Sequence, residues 1–316
     1  AFLLAHDTDP FARWEAGREL ALSALTQLAR GADAGDDYIT AIGALAGDAE
    51  ADPAFRALCL NLPGEEEIAT RLAATGTTPD PDAIHQARAG LARRIAMAHQ
   101  DLLAELYDTM TVPGAYSPDA DAAARRSLRI AALGLLGRID GGDRAEVLFG
   151  IAGNMTERMA ALAVLLRLGR GDSALRMLHD EFADNRLVMD KWFGIQVMAA
   201  PPSDAVAIAE RLAARPDFEW KNPNRFRALL GGLAANHAGF HAADGSGYAF
   251  TADWLMRMDA VNPQIAARMS TAFETWPRYD AARRDHARNA LERIASLAGL
   301  SRNTREMVSR MIAAGR

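Results

Sequence analysis

Apolar positions recur along this chain at helical spacing. Between Asp9 and Gly31, the residues Trp14, Leu20, Leu22, Leu25 and Leu28 fall where one helix face can collect them, with Arg18, Glu19 and Gln27 interleaved. Asp9 is placed to cap that helix, Pro10 suits its first turn and Gly31 stops it. The same reading predicts helices over about 36–47, 53–60, 65–75, 81–108, 121–138, 156–169, 171–184, 187–200 and 203–214. A further set is expected over about 223–235, 247–260, 263–275, 280–298 and 302–315. Most of these segments end in Gly or run into Pro, the residues that break helices. Alternating β-branched or aromatic runs are few, and no Asn-Gly or Asp-Gly hairpin joins them, so the class is all-α.

Many helices of moderate length joined by short loops predict an α-solenoid, a superhelix of stacked helix pairs of the armadillo or HEAT kind. Asn222-Pro223-Asn224 and Asn262-Pro263-Gln264 both read as Asn cap, Pro and helix start, and lie 40 residues apart. That distance matches the period of such pairs. The loosest stretches are Ala74–Asp82 and Asp108–Asp121, rich in Pro and Gly, and neither is long enough to mark a boundary. A single domain over 1–316 is the expectation.

Composition narrows the partners. Half of the residues are apolar, 24% are charged and the net charge is -6, so nothing draws the chain as a whole to nucleic acid. No apolar run approaches a membrane span, and no basic stretch opens a secretory signal. Cys59, alone in its type, can form no intrachain disulfide; it is expected buried and inert, and the chain cytoplasmic. The chain starts on Ala1 without Met and runs straight into an amphipathic helix, as a piece of a longer protein would.

The chemistry is defined largely by what is missing. No His is followed by Glu, so a His-Glu-x-x-His zinc helix cannot occur; the phosphate-binding Gly-x4-Gly-Lys-Ser/Thr and the Gly-x-Ser-x-Gly elbow are also missing. His237 and His241 are four apart and would share a helix face, open to a metal or to packing at a helix end. Gly245-Ser246-Gly247 lacks the strand a phosphate cradle needs; it reads as a tight turn followed by inward-packing Tyr248 and Phe250. Asp190-Lys191-Trp192-Phe193 reads as a packed helix start, with Asp190 capping or pairing and both aromatics buried. Arg225 and Arg227 point to roughly opposite sides of one helix, whereas Gln264 and Arg268 share a face. Arginines at a helix start oppose its dipole, so they fit either a carboxylate-binding role or exposed ion pairs.

Several of these segments carry a resemblance. Leu187–Phe193, Asn222–Arg227, Phe240–Tyr248, Asn262–Arg268 and Arg278-Tyr279-Asp280, in that order, resemble the C-terminal domain of bacterial aminopeptidase N, and Phe11–Glu15 resembles the start of that domain. The likeness spans nearly the whole chain and is loose over 30–120. It implies a helical domain that closes over a thermolysin-like zinc domain of the same polypeptide and forms a chamber limiting access of peptides. By the same resemblance Arg227, Gln264 and Arg268 line that chamber. The family's Gly-x-Met-Glu-Asn motif is missing, and Gly153-Asn-Met-Thr-Glu157 only imitates its letters. Catalytic residues and metal ligands are therefore expected to be none in this chain, with zinc held by the parent enzyme's catalytic domain. The other reading is an independent HEAT-like scaffold without enzymatic activity. A self-contained enzyme is disfavoured, because no nucleophile, base and orienting group can be assembled from the sequence.

Overall fold

The computed structural model describes residues 2–315. The side chains of Ala5 and His6 fall outside that description, as does Ala1, on which the expectation of an excised piece rests. Among the described residues every regular element is helical. The chain divides into two compact units: Ala1–Thr75 with Asp82–Ala174, and Gly76–Pro81 with Leu175–Arg316. The Pro- and Gly-rich stretch after Ala74, expected as a loop, lies at this division, and its residues Gly76–Pro81 belong with the second unit.

The first unit opens with α1 (Phe2–His6), α2 (Pro10–Ala29), α3 (Asp37–Gly47), α4 (Pro53–Leu60) and α5 (Glu65–Ala74). As expected, the Asp9 carboxylate caps α2 by accepting from the Phe11 N–H at 3.1 Å, with Pro10 in the first turn. The buried stripe of α2 is built mainly from Gly17, Ala21, Leu22, Ala24 and Leu25, while Trp14, Leu20 and Leu28 are half-buried. Small residues prevail there because α1 lies close: a Cβ on Gly17 would stand 3.1 Å from the buried Leu4 side chain. Cys59 is buried as expected, and burial pushes its thiol up to about 11, which keeps it protonated and unreactive.

The helix expected over 81–108 is two helices, α6 (Pro81–Ala98) and α7 (Gln100–Thr109). His99 between them leaves the helical region at φ -123° and ψ 29°. Its ring fills the space a side chain on Gly43 would need, and its Nε2 meets the Ile39 carbonyl at 2.8 Å. A contact 60 residues away in sequence thus breaks a helix whose local pattern is continuous. The unit continues with α8 (Ala120–Leu136), α9 (Asp143–Ile151) and α10 (Met155–Arg167). α8 packs on both α4 and α7, and α9 packs on α10. Helix α9 was not expected: it follows Gly141-Gly142, and Val147 and Ile151 are 60% and 70% exposed, so no amphipathic stripe announces it.

Helix α11 (Asp172–Phe182) leads into the second unit, which holds α12 (Arg186–Met198), α13 (Ala205–Ala213), α14 (Pro223–Ala235), the single turn α15 (His237–Phe240) and α16 (Ser246–Asp259). It closes with α17 (Pro263–Met269), α18 (Ala281–Ala295) and α19 (Arg302–Ala314). The element expected over 263–275 stays α-helical only to Met269 and tightens into a 3-10 turn over Ser270–Phe273. Both Asn-Pro starts are realised: Asn222 accepts from the Asn224 N–H at 3.0 Å, and Asn262 from the Ile265 N–H at 3.2 Å. Each cap is worth about 1 kcal/mol relative to alanine.

The tightest packing of the second unit is α12 against α14. A Cβ on Gly194 would come within 2.9 Å of the Ala228 carbonyl oxygen, and one on Gly232 within 2.6 Å of the Gly194 carbonyl oxygen. Two glycines therefore let the backbones touch. A buried carboxylate ties the end of the unit together. Asp259, at the close of α16, accepts from the Ser301 N–H at 2.8 Å and from the Ser301 and Thr304 hydroxyls at 2.6 Å each. This joins α16 to the start of α19 through charge-assisted bonds shielded from water.

Candidate functional site

The three residues singled out as chamber-lining all lie in the second unit. Arg227 sits near the start of α14, one turn before Gly231, and Gln264 and Arg268 sit one turn apart on α17. The two helices are neighbours, with the Met269 methyl 4.0 Å from where a Cβ on Gly231 would stand. All three side chains are exposed. Arg227 donates through Nη2 to the Asn224 side-chain oxygen, a neutral partner, so no carboxylate consumes its charge. Among the described residues no ion pair involves Arg268, and no hydrogen bond joins the three side chains to one another. The arrangement offers two cations and one amide to solvent from adjacent helices, which suits an anionic or carbonyl-bearing ligand.

Arg225 behaves oppositely, as its position two residues from Arg227 implies. It is 4% exposed. Its Nε donates to the Asp190 carboxylate at 2.6 Å, its Nη1 to the Asp217 carbonyl at 2.8 Å, and its guanidinium lies 4.6 Å from the Phe193 ring centre. Asp190 pairs rather than caps; the cap of α12 is Asn185. Trp192 and Phe193 are buried as expected, Trp192 donating its indole N–H to the Leu175 carbonyl at 2.9 Å. The ion pair fastens α14 to α12 and aims the start of α14, so that Arg227 faces solvent. It is a positioning device and its charges are spent internally.

His237 and His241 are both buried, at 6% and 3% exposure. His237 Nε2 lies 2.8 Å from the Tyr279 hydroxyl, and His241 Nδ1 lies 2.7 Å from the Tyr248 hydroxyl. The rings stack within an aromatic cluster, His241 and Tyr279 having centroids 4.2 Å apart. Burial first, then His237, Arg278 and Arg283, hold the His241 imidazole well below its ordinary pKa, so it is neutral. Within the unit both rings pack among aromatic side chains. The turn before α16 also follows expectation: Gly245 has φ 75°, and Tyr248 and Phe250 are buried.

One charged group had no signal in the sequence. Arg88, Arg138 and Arg167 come from α6, the end of α8 and the end of α10, and act on one another electrostatically in the first unit. Their spacing follows no motif, so only the fold could assemble them.

Comparison with known proteins agrees with this architecture. Residues 1–313 match a family model described as DUF3458_C, a domain of unknown function with ARM repeats. Aminopeptidase N of Caulobacter vibrioides is 40% identical over 98% of the chain, and aminopeptidase N of Escherichia coli is 33% identical over 99%. The chain spans little more than a third of those relatives, 36% and 37% of their lengths. Among solved structures, Legionella pneumophila aminopeptidase A in complex with aspartic acid superposes with a TM-score of 0.88 at 25% identity, covering 99% of this chain and 38% of that one. The all-helical, ARM-repeat fold expected from periodicity is thereby established, and the chain belongs to the DUF3458_C family, the helical C-terminal part of bacterial aminopeptidase N and its relatives.

Proposed function

We propose that this domain caps the zinc-bearing catalytic domain of its own polypeptide and forms a chamber through which peptides reach the active site. The parent enzyme, a cytoplasmic metallo-aminopeptidase on this reading, removes N-terminal amino acids from peptides. The observation that carries the proposal is the solvent-facing set Arg227, Gln264 and Arg268 on adjacent helices, with neither arginine neutralised by an acid among the described residues. Likeness to aminopeptidase N along almost the whole chain supports it, as does the share of each relative that remains for a catalytic part.

In this role the arginines hold the distal part of a bound peptide, or its C-terminal carboxylate, by charge-assisted hydrogen bonds, and Gln264 adds a neutral donor and acceptor. When bound in the partner domain, zinc would polarise the scissile carbonyl and activate water. This chain's residues would act on binding and orientation alone. Replacing Arg227 and Arg268 together by Ala in the full enzyme should raise KM for short peptides by up to about tenfold, with little change in kcat, as loss of uniform binding does. An unchanged kcat/KM for these peptides would overturn the assignment. A His-Glu-x-x-His-x18-Glu pattern in the coding sequence upstream separates this reading from an independent helical scaffold.

A further inference from the structure

The buried tryptophans of the second unit do not all treat the indole N–H alike. Trp192 donates it to the Leu175 carbonyl at 2.9 Å, and Trp276 to the Met311 carbonyl at 3.1 Å. Trp254, on α16, is only 8% exposed, yet among the described residues its N–H has no acceptor and is not sealed from solvent. A buried indole ordinarily finds a partner for that donor. Here the ring is held by its packing while the donor edge stays open to an acceptor from outside.

The groups around this indole share a character. Trp220 is half-buried in the link between α13 and α14, its ring centre 6.1 Å from that of Trp254, and its N–H also has no acceptor among the described residues. Phe218 meets Trp254 edge-on at 5.4 Å and packs in turn on Phe193, which ties this floor to the core. Turn bonds fix the link, from the Trp220 N–H to the Phe218 carbonyl at 2.6 Å and from the Asn222 N–H to the Glu219 carbonyl at 2.7 Å. Two cations flank the rings. Lys221 Nζ lies 5.6 Å from the Trp220 ring centre, and the Arg257 guanidinium 4.8 Å from that of Trp254. Neither forms an ion pair among the described residues. Asp253, one turn before Arg257, gives its carboxylate to Arg293, and Glu219 is exposed and joined to neither cation. Counting Glu219 against Lys221 and Arg257 leaves one positive charge beside two open N–H donors. A single carboxylate complements that set. The rings are inclined at 61°, so they form no parallel slot for a flat base and present edges instead.

We propose that Trp220, Lys221, Trp254 and Arg257 form a binding site for a carboxylate. Its oxygens accept from the indole N–H groups, and the two cations, held against the rings by cation–π attraction, supply the charge. The site is built within the second unit, shares no side chain with Arg227, Gln264 and Arg268, and does not rest on their role.

The test is nitrogen-15 NMR of the full chain, whose five tryptophans each give an indole N–H resonance. Sodium acetate is titrated against sodium chloride at constant ionic strength, with acetamide as the neutral isostere. The Trp220 and Trp254 resonances, assigned through Trp220→Phe and Trp254→Phe, should shift saturably with acetate and ignore acetamide. Those of Trp192 and Trp276, already bonded to carbonyls, should stay, as should that of Trp14, whose flanking Arg18 is paired with Glu67. Lys221→Gln and Arg257→Gln, both at exposed positions, should each weaken acetate about tenfold, the loss expected for one charge-assisted bond. Arg227→Gln should leave the response unchanged, which separates this site from the chamber residues. N-acetylglycine presents a chain-terminal carboxylate and N-acetylglutamate α-amide a side-chain one; whichever acts at the lower concentration identifies the source. Resonances that ignore acetate, that follow acetamide equally, or that respond alike in K221Q, R257Q and wild type would overturn the site.

Discussion

A single guanidinium can be spent inside the fold or offered to solvent, and Arg225 and Arg227 show both outcomes two residues apart. The helical repeat turns their side chains to different sides, and burial decides the rest: Arg225 needs Asp190 because an unpaired charge there would be costly, whereas Arg227 is solvated. His241 shows the same logic for a titratable group. The folded site disfavours the imidazolium, so the unfolded chain binds a proton that the folded chain refuses as pH falls below 6.5, the ordinary value. Stability should therefore decline from pH 7.5 to pH 5, with up to about 1.4 kcal/mol per pH unit from this residue. His237, Arg278 and Arg283 each oppose protonation of the ring. Urea unfolding across that range should give a shallower slope in His241→Asn than in wild type; parallel slopes would show that His241 is not the group responsible.

At the level of elements, caps and breakers explain why helix starts were legible and some ends were not. Asp9, Asn222 and Asn262 cap where their sequence context predicts, since an Asx side chain followed by Pro is a local signal needing no distant partner. The break at His99 and the tightening after Met269 have no such signal. The packing of α12 on α14 makes a sharper demand. Gly232→Ala would press a methyl into the Gly194 carbonyl and should cost about 1–3 kcal/mol. Gly231→Ala meets only the flexible end of Met269 at 4.0 Å and should be neutral or slightly stabilising through helix propensity. Chemical denaturation of the two variants checks this, and equal effects would mean that the helices separate at little cost.

For the molecule as a whole, the family assignment and the partial coverage of its relatives set what the chain can do alone. Within the proposed function, the domain supplies walls and binding groups and no reacting group. Purified by itself, with or without added zinc, it should release no product from an amino-acid p-nitroanilide or a short peptide. Turnover that survives removal of contaminating peptidases would refute the division of labour. Among the described residues no helix is long and apolar enough to cross a membrane.

Helical class and most element positions were readable from the sequence, because periodicity and capping are local properties, whereas Arg227, Gln264 and Arg268 entered through a resemblance alone. The resemblance, too, rested on short segments in a fixed order. What the fold alone decided were pairings across long separations: Asp190 with Arg225, His99 with the backbone of α3, and Asp259 with Ser301 and Thr304. It also decided the division into two units, for which no stretch of sequence was a sufficient marker. A charge carries no information in sequence about what will stand opposite it; only packing brings the partner, or leaves it out.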